Sequence, residues 1–197
     1  MSSLLASVSL REFFKPILLE AITHRGLAVG EETEFYIVNL LAEFAFTDRL
    51  FNQSEEGKND HEPLALMFHR AQQQARDEQI RTLRHLGDVS LYKAGFFADA
   101  LRGSVVGPEY HIQMGATAYG QVASLTPNSF SGVYRELCEK FRLLVDVLEE
   151  IAARGLVANG PSGALRVYET WVRTGNDRLE KVLVDAGLVV PKSKLPN

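Results

Sequence analysis

The chain has 197 residues, 46% of them hydrophobic, with a formal net charge of −4 and a single cysteine. An acidic chain without a block of lysine and arginine lacks the phosphate-neutralising charge on which sequence-independent nucleic-acid binding rests. No stretch approaches the roughly 20 apolar residues of a membrane-spanning helix, and Met1-Ser2-Ser3-Leu4-Leu5 lacks the charged start and apolar run of a secretory signal. The expectation is therefore a cytoplasmic protein with neither a nucleic-acid nor a membrane partner.

Helical punctuation recurs along the whole chain, whereas short apolar runs such as Leu188-Val189-Val190 lack the alternation of strands. The expected fold is all-α: one domain over residues 1–197, built as a bundle of seven or eight helices. Ser9 and Glu12 have capping-box spacing for a first helix over about 10–24, with Pro16 as a possible kink and Gly26 as its stop. A second helix spans about 31–51, with Glu31, Glu32 and Glu34 at the positive end of its dipole. Asn52 to Glu62 holds no large apolar residue and reads as a mobile loop. Pro63 opens a third helix, to about Leu86, and Gly87 ends it. Asp88 is then a natural N-cap for a fourth, over about 89–102.

Pro108 begins a fifth helix, to about Leu125. The strongest periodic signal follows: Phe130, Tyr134, Leu137, Phe141, Leu144, Leu148 and Ile151 alternate spacings of four and three, which predicts one long helix over 130–154 stopped by Gly155. Pro161 to Thr174 is expected to bury Leu165, Tyr168, Trp171 and Val172. Gly175 closes it, Asn176 caps a last helix over about 177–186, and residues 188–197 form a polar tail. Cys138 sits among helical apolar positions and reads as a small buried hydrophobe.

Three helices carry polar residues where core is expected. In the helix from Pro63, Leu64, Met67, Phe68, Ala71 and Ala75 share a face that further along carries Glu78, Gln79, Thr82 and His85. Either this helix leaves the core midway, or the core there holds a polar pocket. The segment Leu86 to Phe97 is apolar on nearly every side and so should be central. Within it Asp88 is either a cap or, with Tyr92, part of a ligand site, and Gly95 points to a close helix contact. In the helix from Pro108, His111, Gly115, Ala118 and Val122 fall on one side, with Tyr119 beside them. His111 is either a hydrogen-bonded structural group or a second histidine facing the same pocket as His85.

Motifs with a defined chemistry are missing. The sequence contains no Cys-x-x-Cys, no His-Glu-x-x-His and none of the Glu-x-x-His pairs of carboxylate-bridged bundles. It has neither a phosphate-binding Gly-Lys loop nor a Gly-x-Ser-x-Gly elbow. No metal ligand and no catalytic residue is assigned, and the cofactor is left unknown.

The stretch Leu86-Gly87-Asp88 through Phe97, followed by Tyr110-His111-Ile112-Gln113-Met114-Gly115 and Tyr119, resembles a set of small uncharacterised bacterial all-helical proteins. The segments Tyr36 to Phe44 and Leu165 to Leu179 share that likeness, which implies an all-helical fold and carries over no activity, cofactor or residue role. The leading functional expectation is a cytoplasmic bacterial interaction or regulatory module, homodimeric or bound to a protein partner. The second is a small-molecule, haem or metal site inside the bundle, formed by Glu78, His85, Asp88, Tyr92, His111 and Tyr119.

Overall fold

A computed structural model describes residues 2–51 and 62–188, and every regular element in them is a helix. The elements are α1 (Ser2–His24), α2 (Glu31–Phe51), α3 (Leu64–Ala71), α4 (Arg76–Phe96), α5 (Ala98–Arg102), α6 (Pro108–Leu125), α7 (Asn128–Glu139), α8 (Phe141–Ala158), α9 (Pro161–Thr174) and α10 (Asp177–Asp185). The all-α expectation holds, but ten helices stand where seven or eight were expected. The segment read as a mobile loop lies, but for Glu62, outside the described residues, as does all of the polar tail beyond Leu188.

The helix count differs at three places. The helix expected over 63–86 breaks after Ala71 and restarts at Arg76, without a proline or glycine at the break. The corner is held by tertiary hydrogen bonds: Arg76 donates from Nη2 to the carbonyl of Leu125 at 2.6 Å, and Thr82 donates to Gln74 at 2.7 Å. The restarted helix then runs through Gly87 and Asp88 to Phe96, so Gly87 is no stop and Asp88 no cap; α5 follows as a separate turn. The long helix expected over 130–154 is divided at Lys140. There Lys140 donates from Nζ to the carbonyl of Ala28 at 2.5 Å and to Glu136 at 2.7 Å. Gly155 lies within α8, and the left-handed stop falls at Gly160, with φ of 106°. Several other boundaries agree with expectation. Gly26 and Gly175 adopt positive φ, and Asn176 accepts from the Arg178 amide at 3.0 Å. α1 starts well before Ser9, which is therefore not its cap.

The main core joins α1, α2, α4, α7 and α8 through side chains such as Leu18, Ile37, Leu41, Leu91, Phe141, Leu144 and Leu148. A second cluster packs α3, α4 and α6 through Leu64, Leu83, Leu86, Ala118 and Val122. A third unites α8, α9 and α10 around Val167, Trp171 and Leu183. α9 buries Gly163, Val167, Thr170 and Trp171, a stripe that leaves Leu165 and Val172 facing outward, against expectation. Glu150, buried on α8, ties the end of α1 to the bundle by accepting from Arg25 at 3.0 Å and lying 3.2 Å from His24 and 2.9 Å from Arg154. No described helix is long and apolar enough to cross a membrane.

α4 is central because its glycines admit neighbours closely. A Cβ at Gly95 would lie 2.3 Å from Cβ of Leu148, and one at Gly115 on α6 would lie 2.3 Å from the ring of Phe141 and 2.8 Å from Ser90. A Cβ at Gly87 would lie 2.5 Å from the ring of Tyr119. α2 and α7 are clasped separately: Glu136 on α7 accepts from the Gly30 amide at 3.1 Å and from the Thr33 hydroxyl at 2.6 Å, at the start of α2. Burial opposes its charge, yet the hydrogen bonds from Lys140, Thr33 and Gly30 hold its carboxyl below the usual range.

Two glycine-to-alanine changes should therefore act in opposite directions. Gly87→Ala forces the buried ring of Tyr119 to move and should cost about 1–3 kcal/mol. Gly155→Ala meets nothing within 4 Å inside a helix and should stabilise by about 1 kcal/mol. Chemical denaturation of the two variants checks both signs.

Candidate functional site

The contact between α4 and α6 builds a polar floor. Because Gly87 has no side chain, the ring of Tyr119 packs closely against α4, and its hydroxyl reaches the next residue, donating to Asp88 Oδ1 at 2.7 Å. From α2, Tyr36 donates to the same oxygen at 2.6 Å. Neither phenol occupies Oδ2. Tyr134 of α7 completes a triad of rings, with centroids 5.7 Å from Tyr36 and 6.1 Å from Tyr119. Arg84, one turn before Asp88 on α4, lies close enough to Tyr134 and Asp88 for its charge to act on both.

This floor opens into a groove of about 610 Å³ between α2, α4 and α7. Its walls are Glu31, Glu32, Phe35, Tyr36, Asn39, Leu40 and Glu43 of α2, Arg84 and Asp88 of α4, and Phe130 and Val133 of α7. Two of the largest apolar side chains on it are also among the most exposed, Phe35 and Phe130, each 68% accessible. Phe130 was expected at the start of a core stripe. Both rings instead stand at the mouth, and core packing begins one turn later on each helix, with Val38 and Tyr134.

Burial pushes the Asp88 carboxyl above its ordinary value, against the two phenol hydrogen bonds and the nearby charges of Arg84 and His85. Burial and the adjacent carboxylate push the phenols of Tyr36 and Tyr119 upward, so both stay protonated and donate. A carboxylate removed from water costs several kcal/mol unless paired, and two hydrogen bonds to a charged group return about 1.5–3 kcal/mol each. The arrangement thus holds a partly buried acceptor, fixed by two donors, at the base of the groove. Its walls combine the apolar side chains Phe35, Leu40, Phe130 and Val133 with the charged groups of Glu31, Glu32, Glu43 and Arg84, a concave surface with a shifted carboxyl at its base that marks a candidate site.

The six residues singled out in the sequence are dispersed. Asp88 and Tyr119 bond directly. His85 is exposed and acts on Asp88 only through its charge. Tyr92 belongs to an adjacent aromatic stack, 4.7 Å from Phe44 and 5.0 Å from Phe96. His111 is buried elsewhere on α6, beside Tyr110; burial and the charge of Lys93 lower its pKa, and Nδ1 has no hydrogen-bond partner among the described residues. Glu78 is exposed in the first turn of α4. Glu78, His85, Tyr92, His111 and Tyr119 do not line the groove. Sequence reasoning missed Tyr36, Arg84 and Tyr134. Tyr36 adjoins the apolar stripe of α2, and Arg84 reads as one more charge on a solvated face. Among the described residues no three His, Cys, Asp or Glu side chains group as a metal site requires. Cys138 is half-buried, and burial raises its thiol pKa, which makes it a poor nucleophile. Compared with known protein families, curated proteins and solved structures, the chain matches none.

The raised Asp88 carboxyl fixes a pH dependence. The folded protein holds this proton at pH values where the unfolded chain has released it, so the stability that Asp88 contributes is full in acid and declines as pH rises above its ordinary value of 3.8. Asp88→Asn keeps a carbonyl for both phenols and removes that titration. Its melting temperature relative to the parent protein should therefore climb as pH is raised from about 4 to 7, and a difference independent of pH would refute the assignment.

Proposed function

We propose that this protein is a small-molecule-binding helical bundle whose ligand lies in the groove between α2, α4 and α7. The observation that supports this reading is Asp88: a partly buried carboxylate, held by Tyr36 and Tyr119, that lines an accessible groove of about 610 Å³. Packing alone would favour an apolar residue at such a position, since a buried charge weakens the fold. A groove of this volume falls within the range of sites for drug-sized molecules. The site differs from the one expected in sequence. It keeps Asp88, keeps Tyr119 as a support, and takes its walls from α2 and α7.

The alternative, a homodimeric interaction module, has the exposure of Phe35 and Phe130 in its favour. The same two side chains are accounted for as the mouth of the groove, and self-association gives no role to the Asp88 carboxylate at its base, whose Oδ1 ties three helices and whose Oδ2 neither phenol takes.

The test is an amide-resolved NMR screen of a small-molecule library. Hits should perturb residues of α2, α4 and α7 together, and Val133→Trp, which fills the groove from a partly exposed position, should abolish those shifts while leaving the melting temperature within a few degrees. Hits scattered over other surfaces would defeat the proposal. Light scattering on the protein and on Phe35→Ser discriminates the alternative: a dimer that dissociates in the variant would assign the surface to self-association.

A further inference from the structure

The walls of the groove also indicate what kind of molecule it takes. We infer that its occupant is an organic cation, an ammonium group carried on an apolar body, with the ammonium directed to Asp88 and the body held between Phe35 and Phe130. The inference rests on the binding reading above and adds the ligand's charge and shape.

Three features of the groove agree on this class. The first is sign of charge: four carboxylates, those of Glu31, Glu32, Glu43 and Asp88, line it against one guanidinium, Arg84. The balance remains negative if Glu43, which has an interaction of its own, is set aside. Arg84 lies near Asp88 and Tyr134 and offsets only part of that charge. An anion entering the groove would meet carboxylates at the mouth and at the floor.

The second feature is the order of the groups with depth. Glu31, Glu32, Phe35 and Phe130 are exposed, whereas Asp88 is partly buried beneath them. A charged group at the base and apolar rings above suit a molecule charged at one end. The acidic mouth attracts the cation during approach, and that attraction weakens with salt. The third feature is aromatic content. Phe35, Phe130 and the ring of Tyr36 present π surfaces or edges around the passage, and aromatic faces attract ammonium groups where they repel carboxylates. The two phenols add a further bias. Both already donate to Asp88 Oδ1 and neither blocks Oδ2, so the floor has acceptor capacity to offer an N–H group.

The experiment compares three molecules of similar shape: 2-phenylethylammonium, neutral 2-phenylethanol and anionic 3-phenylpropanoate. Binding is read by amide shifts on α2, α4 and α7 and quantified by titration calorimetry. The cation should bind roughly tenfold more tightly than the alcohol, the gain expected of one charge-assisted hydrogen bond, and the anion should not bind. Raising salt should weaken only the cation. Asp88→Asn should remove most of the preference for the cation over the alcohol. The double variant Glu31→Gln/Glu32→Gln, on exposed positions that carry no packing, should reduce cation affinity several-fold and flatten its salt dependence. If the alcohol or the anion produces the groove shifts as strongly as the cation, the cation assignment is overturned while the groove remains a binding site. If the cation shifts residues elsewhere and none of the three perturbs the groove, both readings fall.

Discussion

The arrangement depends on one close approach. Where α4 crosses α6, Gly87 leaves room for the ring of Tyr119, and the hydroxyl on that ring then falls within 2.7 Å of Asp88. A larger residue at 87 lifts the ring, and the carboxylate loses one of the two donors that make its burial tolerable. The second donor comes from α2, so the same oxygen joins three helices. A polar group that must be satisfied by partners from separate elements restricts their relative placement more tightly than apolar contact does, because hydrogen bonds fail within a few tenths of an ångström.

The rest of α4 follows the same logic of small residues and large neighbours. Gly95 receives Leu148, and Ser90 lies against Gly115, which receives Phe141. These contacts bring α6 and α8 close against α4 at separate glycines. The groove lies on the remaining side, where α2 and α7 flank α4 without closing over it.

Much of this was legible in the sequence, and the misreadings have a common cause. Helical periodicity, the proline starts at Pro108 and Pro161 and the glycine stops at Gly26 and Gly175 are local properties, and they locate α2, α6, α9 and α10 to within a residue or two. Gly87 and Asp88 form a locally convincing stop and cap. Side by side, however, they serve a ring that arrives from 32 positions further along the chain, which no local pattern encodes. The break at Gln72–Ala75 and the division at Lys140 are likewise fixed by distant carbonyls, those of Leu125 and Ala28. In the site, Asp88 drew notice as a charge inside an apolar helix and Tyr119 as a ring beside small residues. Tyr36 and Tyr134 gave no signal, since a tyrosine beside an apolar stripe has the pattern of an ordinary core residue. His85 and His111 attracted attention through residue type, and their helices direct them apart.

The bond from Glu136 to the beginning of α2 bears on the groove in a further way. It fastens α7 to α2 at one end, near Gly30 and Thr33, while Asp88 fastens α2 to α4 along the base. Held at both places, the two flanking helices have little freedom to spread or to pinch. Under the proposed reading, a guest that matches the slot between them finds its walls already tied and loses mainly its own freedom on docking, whereas one broader by a ring must unfasten a carboxylate before it can be seated.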